Sequence, residues 1–432
     1  MHNIRYYQHV PIMRRILEHI EHSVYVVGNL PSEPASQFRR YSDIMNAMGD
    51  GSDISRSHLD FAGVNLFIDV EYGNRLLPGE IFHQPLVAFE KLEGLRKSIR
   101  DFLEKKHIPY LELMTGQGYN YVSRIRRESA SYASLAELGQ RLKVLPWSAA
   151  KQLIQKEKKH GNIPLLADSL VFGALGRISE FMYSQVERAY GDLPIEPADI
   201  HEHDEIAILD TTQYGYLITN RSNRIAFSLH QKSLKKPEMR YYGPPISTIT
   251  PQGLSLEQRV DIRSDTSDNY AKAAQLAGEA RTTIPEADVS FLVTSYLMSQ
   301  TYEQHRHEAD ERLETTIGEE EIATLNALYP EMDPTGVFWG VPPQPDWRTI
   351  NAAPISHHAR RVIDFPNDLL LKPRDIKHLA SELRDHGIAR SEIVSLIAFK
   401  YSENHGWNAD LTRNDAMLRA DYWLRTLLPE DR

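Results

Sequence analysis

The stretch GVNLFIDVEYGN sets two carboxylates, Asp69 and Glu71, two residues apart inside an apolar run. In a β-strand, residues i and i+2 point to the same face, so the pair projects side by side. Burying such a pair bare is costly, because like charges crowd and desolvation penalises both. A divalent cation removes the conflict. Mg²⁺ is hard, prefers carboxylate oxygen, and is commonly held by one or two carboxylates together with substrate phosphates. Two such ions about 3.5–4 Å apart can clamp the attacking and leaving oxygens of a phosphoryl displacement. A half-exposed strand whose polar face meets water gives the same pattern.

A third carboxylate, Asp210, ends the strand-like run DEIAILD and is followed by turn-prone residues, which suits either a site or an Asx turn. Just downstream, NRSNRIAFSLHQK supplies Arg221, Arg224, Ser228, His230 and Lys232. Read as a strand, this segment puts Ser228, His230 and Lys232 on one face. A hydroxyl, an imidazole and an ammonium together suit a triphosphate; an exposed basic strand reads the same way. In MTGQGYNYV, Gly116 and Gly118 permit tight turning and close approach of backbone to a ligand, as hairpin glycines in general do. The pairs His201/His203, His305/His307 and His357/His358 lack a partner pair at zinc spacing and read as solvated histidines.

These residues need elements to position them. Phe89, Leu92, Leu95, Ile99, Phe102 and Leu103 recur at helical spacing after the Asp69 strand, and IPYLELMTGQGYNYVSRI reads as two strands joined by a glycine turn. The order is strand, helix, strand, strand. SVYVV reads as a strand before them; NRIAFSLHQ reads as one after them. Helices are expected over VPIMRRILEHI (stripe Val10, Met13, Leu17, Ile20), PWSAAKQLIQKEKKH, DSLVFGALGRISEFMYSQVERAY and DNYAKAAQLAGEAR, with an acidic helix from Glu303 to Leu328. Proline enrichment marks residues 329–355 as a linker. Beyond it, Ile376, Leu379, Ala380 and Leu383 form one stripe, Gly387 can stop that helix, and Ser391 can cap the next. The last helix holds Ala420, Trp423, Leu424 and Leu427. The division is a catalytic-type unit over 1–328 (core about 24–300), the linker, and a helical unit over 356–432.

Composition agrees with a globular chain of two or three domains: 432 residues, 41% hydrophobic and 25% charged. The formal net charge of -10 argues against a general polyanion binder. Basic residues nevertheless crowd between Arg96 and Lys159, giving either a local groove for nucleic acid or a pair of solvated helical faces. Cysteine is absent, which excludes disulfides, thiolate zinc sites and cysteine nucleophiles. No run of about 18 apolar residues suggests a membrane span. MHNIRYYQHVPIMRRILEHI lacks an apolar signal core and reads as a mature start, so a cytoplasmic location is expected.

Taken in order, LFIDVEY, TGQGYNYV, AILDTTQYG and NRIAFSLHQK resemble the motifs of the archaeo-eukaryotic primase superfamily, which includes archaeal primase small subunits and primase-polymerases. The resemblance spans Val64 to Lys232, about two fifths of the chain. It implies an α/β (α+β) primase-polymerase-like core with mixed sheets and flanking helices, followed by a small all-helical unit. It implies further that Asp69, Glu71 and Asp210 bind two Mg²⁺ or Mn²⁺ ions. Ser228, His230 and Lys232 would hold nucleotide phosphates with Arg224 nearby, and Thr115, Gly116, Gly118 and Asn120 would belong to the nucleotide site. The implied reaction is nucleotidyl transfer on a nucleic-acid template with nucleoside triphosphates. A helicase or other replication partner is expected on the carboxy-terminal helices. Two departures stand out. Asn120 occupies the place of a histidine in the second motif, which points alternatively to a weakened, binding-only relative, and the cysteine zinc knob of many primase small subunits is missing.

Overall fold

Alternation in GVNLFIDVEYGN builds a strand of 12 residues, Gly63–Asn74, buried on both sides up to Ile68 and more open on the Asp69 side from there on. Val64, Leu66, Ile68, Val70 and Tyr72 enter the main apolar core, while Asp69 and Glu71 on the other side are half-buried. The structure is a computed structural model. It describes residues 2–428 apart from 31–35, 39, 161–162, 190–192, 198–201, 232–243, 252, 265–266, 312–318, 329, 331–343, 366–371 and 404–412.

The strands are β1 (Val26–Asn29), β2 (Ser36–Phe38), β3 (Asp53–Ser57), β4 (Leu59–Asp60), β5 (Gly63–Asn74), β6 (Leu111–Met114), β7 (Gly118–Arg126), β8 (Ile195–Glu196), β9 (Glu205–Asp210), β10 (Ser222–Arg224) and β11 (Thr248–Ile249). They form two sheets. One has 7 strands in the order β11-β6-β7-β5-β9-β8, with β4 paired to β5; the other has 4 strands in the order β10-β3-β1-β2. In the larger sheet β5 lies antiparallel between β7 and β9, and β8 joins β9 in parallel. The architecture is therefore mixed α/β, with a helical carboxy-terminal part.

Helices Pro85–Lys105 and Leu165–Ala189 cover the apolar face of the larger sheet, placing Phe89, Leu92, Leu95, Ile99 and Leu103 against β5 and β7 as the helical spacing predicts. Each such side chain contributes about 1.5–3 kcal/mol on burial. A second core gathers the amino-terminal helices, β1, β3, Leu113 and the segment Ile225–Leu229. A third runs from Ile350 to Leu428 and is wholly helical. Helix Trp347–Ala352 lies inside the stretch read as linker, with Ile350 packed into this third core.

Several expectations need correction. Helix Val10–Ile20 buries Ile12, Arg15, Ile16, His19 and Ile20; of the expected stripe Ile20 is buried, Met13 and Leu17 pack partly buried at the edge of the core, and Val10 is 66% exposed. The face is chosen by packing on helix Ser267–Glu279, where Arg15 Nε donates to Ala277 O at 2.7 Å. The acidic segment forms two helices, Gln300–Asp310 and Glu319–Leu328. Ser391 lies within helix Arg390–Glu403 rather than capping it. Several charges of the basic stretch are paired: Arg96 meets Glu93 and Glu112, Arg124 meets Asp60, Arg127 meets Asp168, and Arg141 meets Glu137. His305 is buried, its Nε2 2.9 Å from Glu180 and its Nδ1 sharing a hydrogen bond with Tyr296 Oη. His201 and the 331–343 stretch lie outside the described residues. No helix among the described residues is long and apolar enough to cross a membrane.

Candidate active site

The register of the central strands brings the sequence-distant carboxylates together. Asp69 stands opposite Asp210 on β9 and opposite Asn120 on β7, while Glu71 stands opposite Gly118 and Ile208. Directly paired residues of antiparallel strands have Cβ atoms about 4.5–5.5 Å apart on one face. Asp69 and Asp210 are therefore neighbours, with Glu71 two residues along the same face. Asp210 is also an Asx-turn residue: its Oδ1 accepts from Thr212 N at 2.7 Å, which fixes the side chain where the strand ends. With its amide nitrogen turned toward the surrounding acceptors, Asn120 donates to Asp69 Oδ1 at 2.7 Å and to Tyr119 O at 3.0 Å.

A tight turn between β6 and β7 borders this patch. Thr115 N donates to Gly118 O at 2.8 Å, and Thr115 Oγ1 accepts from Gln117 N and Gly118 N at 3.3 and 3.2 Å. Thr115 thus braces the turn with its own hydroxyl. Gly116 has a steric reason to be glycine: a Cβ there would lie 2.2 Å from His230 Nδ1, so the imidazole rests directly on its backbone. Phe82 packs edge-on against that ring, with centroids 6.1 Å apart. Arg263 holds the turn from beneath, donating to Thr115 O at 2.9 Å and to Gly116 O. Burial pushes the Arg263 guanidinium down to about 9. Sequence reading missed this residue, since a single arginine in a helix 147 positions from Gly116 carries no local signal.

The segment expected as one strand through Lys232 is broken. Only Ser222–Arg224 pairs with β3, and Phe227 then turns with φ 61, a left-handed conformation that non-glycine residues rarely adopt. The bend lies before Ser228; beyond it Leu229 bridges Ile246, with Ser247 N donating to Ser228 O at 2.9 Å and His230 N to Pro245 O at 2.8 Å. Ser228 is fully buried, with Oγ accepting from Ile54 N at 2.7 Å. Arg224 Nη1 is taken by Asp53 Oδ2 at 2.6 Å and Leu229 O at 2.9 Å. Both residues build the turn that delivers His230 to Gly116. Lys232 lies outside the described residues.

The carboxy-terminal helix, Arg413–Leu427, reaches the same region. Tyr422 Oη and Thr211 Oγ1 are 2.9 Å apart, and the Tyr422 ring sits over Gly215, where a Cβ would lie 2.9 Å from Tyr422 Cγ. One helical turn earlier, Arg419 places its guanidinium 4.7 Å from the Tyr216 ring centre; Arg221 lies over the same ring at 3.8 Å. Burial lowers Arg419 to about 10, against the pull of Asp210. An ion cluster anchors the helix: Arg425 Nε is 2.8 Å from Glu180 Oε1 and Arg425 Nη1 is 2.8 Å from Asp421 Oδ2.

Asp69, Glu71 and Asp210 present oxygen donors only, the chemistry of a hard divalent cation site. Among the described residues no group of three His, Cys, Asp or Glu side chains is drawn into a ready-made metal cage. An open patch of carboxylates is the form that substrate phosphates can complete. The donor set fits Mg²⁺ or Mn²⁺.

No family model matches the chain, and no curated protein matches it. Among solved structures it is similar to the polymerase domain from Mycobacterium tuberculosis ligase D in complex with DNA, at 10% identity over 64% of this chain and 87% of that chain, with a TM-score of 0.35. It is similar also to the crystal structure of primase RepB′, at 9% identity over 96% of this chain and 94% of that one, with a TM-score of 0.30.

Proposed function

We propose that this chain is a metal-dependent nucleotidyltransferase of primase-polymerase type, joining a nucleoside triphosphate to a 3′-hydroxyl on a nucleic-acid template with release of pyrophosphate. The observation that carries the reading is the direct opposition of Asp69 and Asp210 on adjacent strands, with Glu71 on the same face. These three residues would hold Mg²⁺ or Mn²⁺, and the ions, when bound, supply charge neutralisation at the transferring phosphoryl group. Asn120 orients Asp69 by its hydrogen bond, and Thr212 N–H orients Asp210. His230, held against Gly116, is the group best placed to take the role that a histidine at position 120 would have had. Thr115, Gly118, Ser228 and Arg224 shape the turn and the His230 loop, and Arg224 is engaged by Asp53.

The test is primer extension with Mn²⁺ by the full chain and by Asp69→Ala and Asp210→Asn. Label incorporation by the wild type and its loss in both folded variants supports the proposal; retained incorporation in Asp69→Ala refutes it. A second reading, a relative that binds nucleic acid or nucleotide without catalysis, draws on Asn120, which cannot carry positive charge. Binding of nucleotide with no incorporation under Mn²⁺ selects that reading.

A further inference from the structure

Three arginines gather around β6 and β7, and they differ in their counter-charges. Arg96 takes Glu93 and Glu112, and Arg259 takes Glu93 at 2.9 Å. Arg263, one helical turn beyond Arg259 at the end of helix Leu256–Arg263, is 3% exposed and meets no carboxylate among the described residues. Its donors go to main-chain oxygens: Nε to Thr115 O at 2.9 Å, and Nη2 to Gly116 O and to Ile81 O, the latter at 3.3 Å. The Phe82 and Phe89 rings of the main core lie 5.8 and 5.1 Å from its guanidinium. Carbonyl dipoles and ring faces solvate a guanidinium without cancelling its charge. Burying a charge with no counter-ion is costly. Bracing a turn requires donors only, which a neutral side chain supplies without that cost.

The turn carries the charge to its far side. Its peptide units are trans, so each C=O and N–H point opposite ways. With Thr115 O and Gly116 O facing the guanidinium, the N–H groups of Gly116 and Gln117 point away from it and from the core behind it. Gln117 N–H makes a long bond of 3.3 Å to Thr115 Oγ1, and among the described residues nothing accepts from Gly116 N–H. Gly116 is buried, and a buried amide without an acceptor is rare. A hydrogen bond at a carbonyl polarises the peptide and strengthens the donor at its other end. Successive main-chain N–H groups of a turn form an anion-binding concavity. Gly118, two residues on, stands opposite Glu71, so this concavity borders the carboxylate patch.

We propose that Arg263 is the positioning residue and buried counter-charge of a main-chain anion site at the Thr115–Gly118 turn, and that this site takes the phosphate tail of the nucleoside triphosphate. Arg263 touches no ligand and acts through the Gly116 and Gln117 amides. The proposal rests on the nucleotidyltransferase reading for the identity of the ligand. A nucleic-acid backbone shares the phosphate chemistry and is separated from the triphosphate by the experiment.

The experiment uses the full chain, Arg263→Lys and Arg263→Met. Equilibrium binding of ATP, AMP, inorganic tripolyphosphate and a primer-template duplex is measured with Mg²⁺, and thermal melting checks folding. Arg263→Met, which removes the charge and keeps an unbranched side chain, is expected to weaken ATP and tripolyphosphate binding about tenfold or more. AMP and duplex binding should change less than about threefold, and Arg263→Lys should recover most of the triphosphate loss. In primer extension the effect of Arg263→Met should fall on KM for the triphosphate more than on kcat. Unchanged triphosphate binding overturns the proposal, as does an equal loss for all four ligands or a loss confined to the duplex. Should Arg263→Met fail to fold, the wild type decides. With ¹⁵N-labelled glycine, the Gly116 amide resonance, assigned by its absence in Gly116→Ala, should move downfield on adding tripolyphosphate; an unmoved resonance overturns the proposal. Tripolyphosphate bound through Arg263 by a wild type that incorporates no nucleotide leaves the site standing and removes the proposed reaction.

Discussion

Asp69 and Asp210 face one another across neighbouring antiparallel strands, 141 residues apart in sequence, and each has one oxygen held by a neutral donor: the Asn120 amide on Asp69, the Thr212 N–H on Asp210. Crowded carboxylates of this kind hold a strain that a cation relieves. Asp210→Asn should therefore melt at the same temperature as the wild type or higher without metal. Mn²⁺ at about 100 times its dissociation constant should stabilise the wild type by roughly 2.7 kcal/mol and the variant far less. Melting curves with and without Mn²⁺ check this, and an equal gain in both proteins contradicts it.

Gly116→Ala places a methyl group 2.2 Å from His230 Nδ1, so the ring must leave its seat. A stability loss of about 1–3 kcal/mol is expected, together with a larger fall in nucleotide incorporation than that loss explains. Urea unfolding combined with kcat and KM for the triphosphate separates the two effects. Gly278→Ala, where a Cβ meets nothing within 4 Å, is the matched control.

Tyr7 is a prop for the His230 loop. Its hydroxyl donates to Ser52 O at 2.7 Å and accepts from Leu229 N at 3.1 Å, and burial raises its ionisation far above the ordinary range. Tyr7→Phe leaves the buried Leu229 N–H without this acceptor, at a cost of about 1–3 kcal/mol. Denaturant midpoints give the measurement. A change within 0.5 kcal/mol, judged against the ordinary range for neutral substitutions, counts against the prop.

His58 sets an acid limit on stability. Burial first, then the nearby Arg221 and Arg56, push its imidazole down to about 3 from the usual 6.5. The unfolded chain thus binds a proton that the folded chain refuses between those values. Stability from this group is complete above about pH 6.5 and falls as pH drops toward 3, with a slope of up to about 1.4 kcal/mol per pH unit. His58→Gln should flatten the dependence of the urea midpoint between pH 6.5 and 4.5. An unchanged slope assigns the acid sensitivity to other groups.

Arg425 tests the seat of the last helix. It joins Glu180 of helix Leu165–Ala189 to Asp421 of its own helix, all with little exposure. Arg425→Ala removes the shortest links of this cluster while His305 and Arg177 still meet Glu180 and Arg177 and Arg390 still meet Asp421, so a loss of about 1–3 kcal/mol is expected. Limited proteolysis should cut the variant within helix Arg413–Leu427 sooner than the wild type.

The carboxylates were legible because β-strand alternation is a local property: an apolar run interrupted at i and i+2 leaves little choice about which face Asp69 and Glu71 share. Asp210 was legible for the same reason, as the last residue of an apolar run before turn formers. The His230 segment misled, because IAFSLH alternates well enough to pass for a strand and nothing local announces a left-handed Phe227. That conformation is imposed from outside, by Tyr6 Oη donating to Phe227 O at 2.9 Å and by the Ser228 bond to Ile54 N. The amino-terminal helix failed in a related way: both its faces carry apolar residues, and the packing of Arg15 on Ala277 decides between them. Arg263 and Arg419 were invisible since each acts on residues well over a hundred positions away.

The Tyr422–Thr211 bond spans 211 residues. During synthesis the paired carboxylates can assemble long before the tyrosine that caps the adjoining turn has been made. At a typical translation pace of 5–20 residues per second, the nascent chain spends on the order of ten seconds or more with that turn uncovered and Gly215 facing solvent.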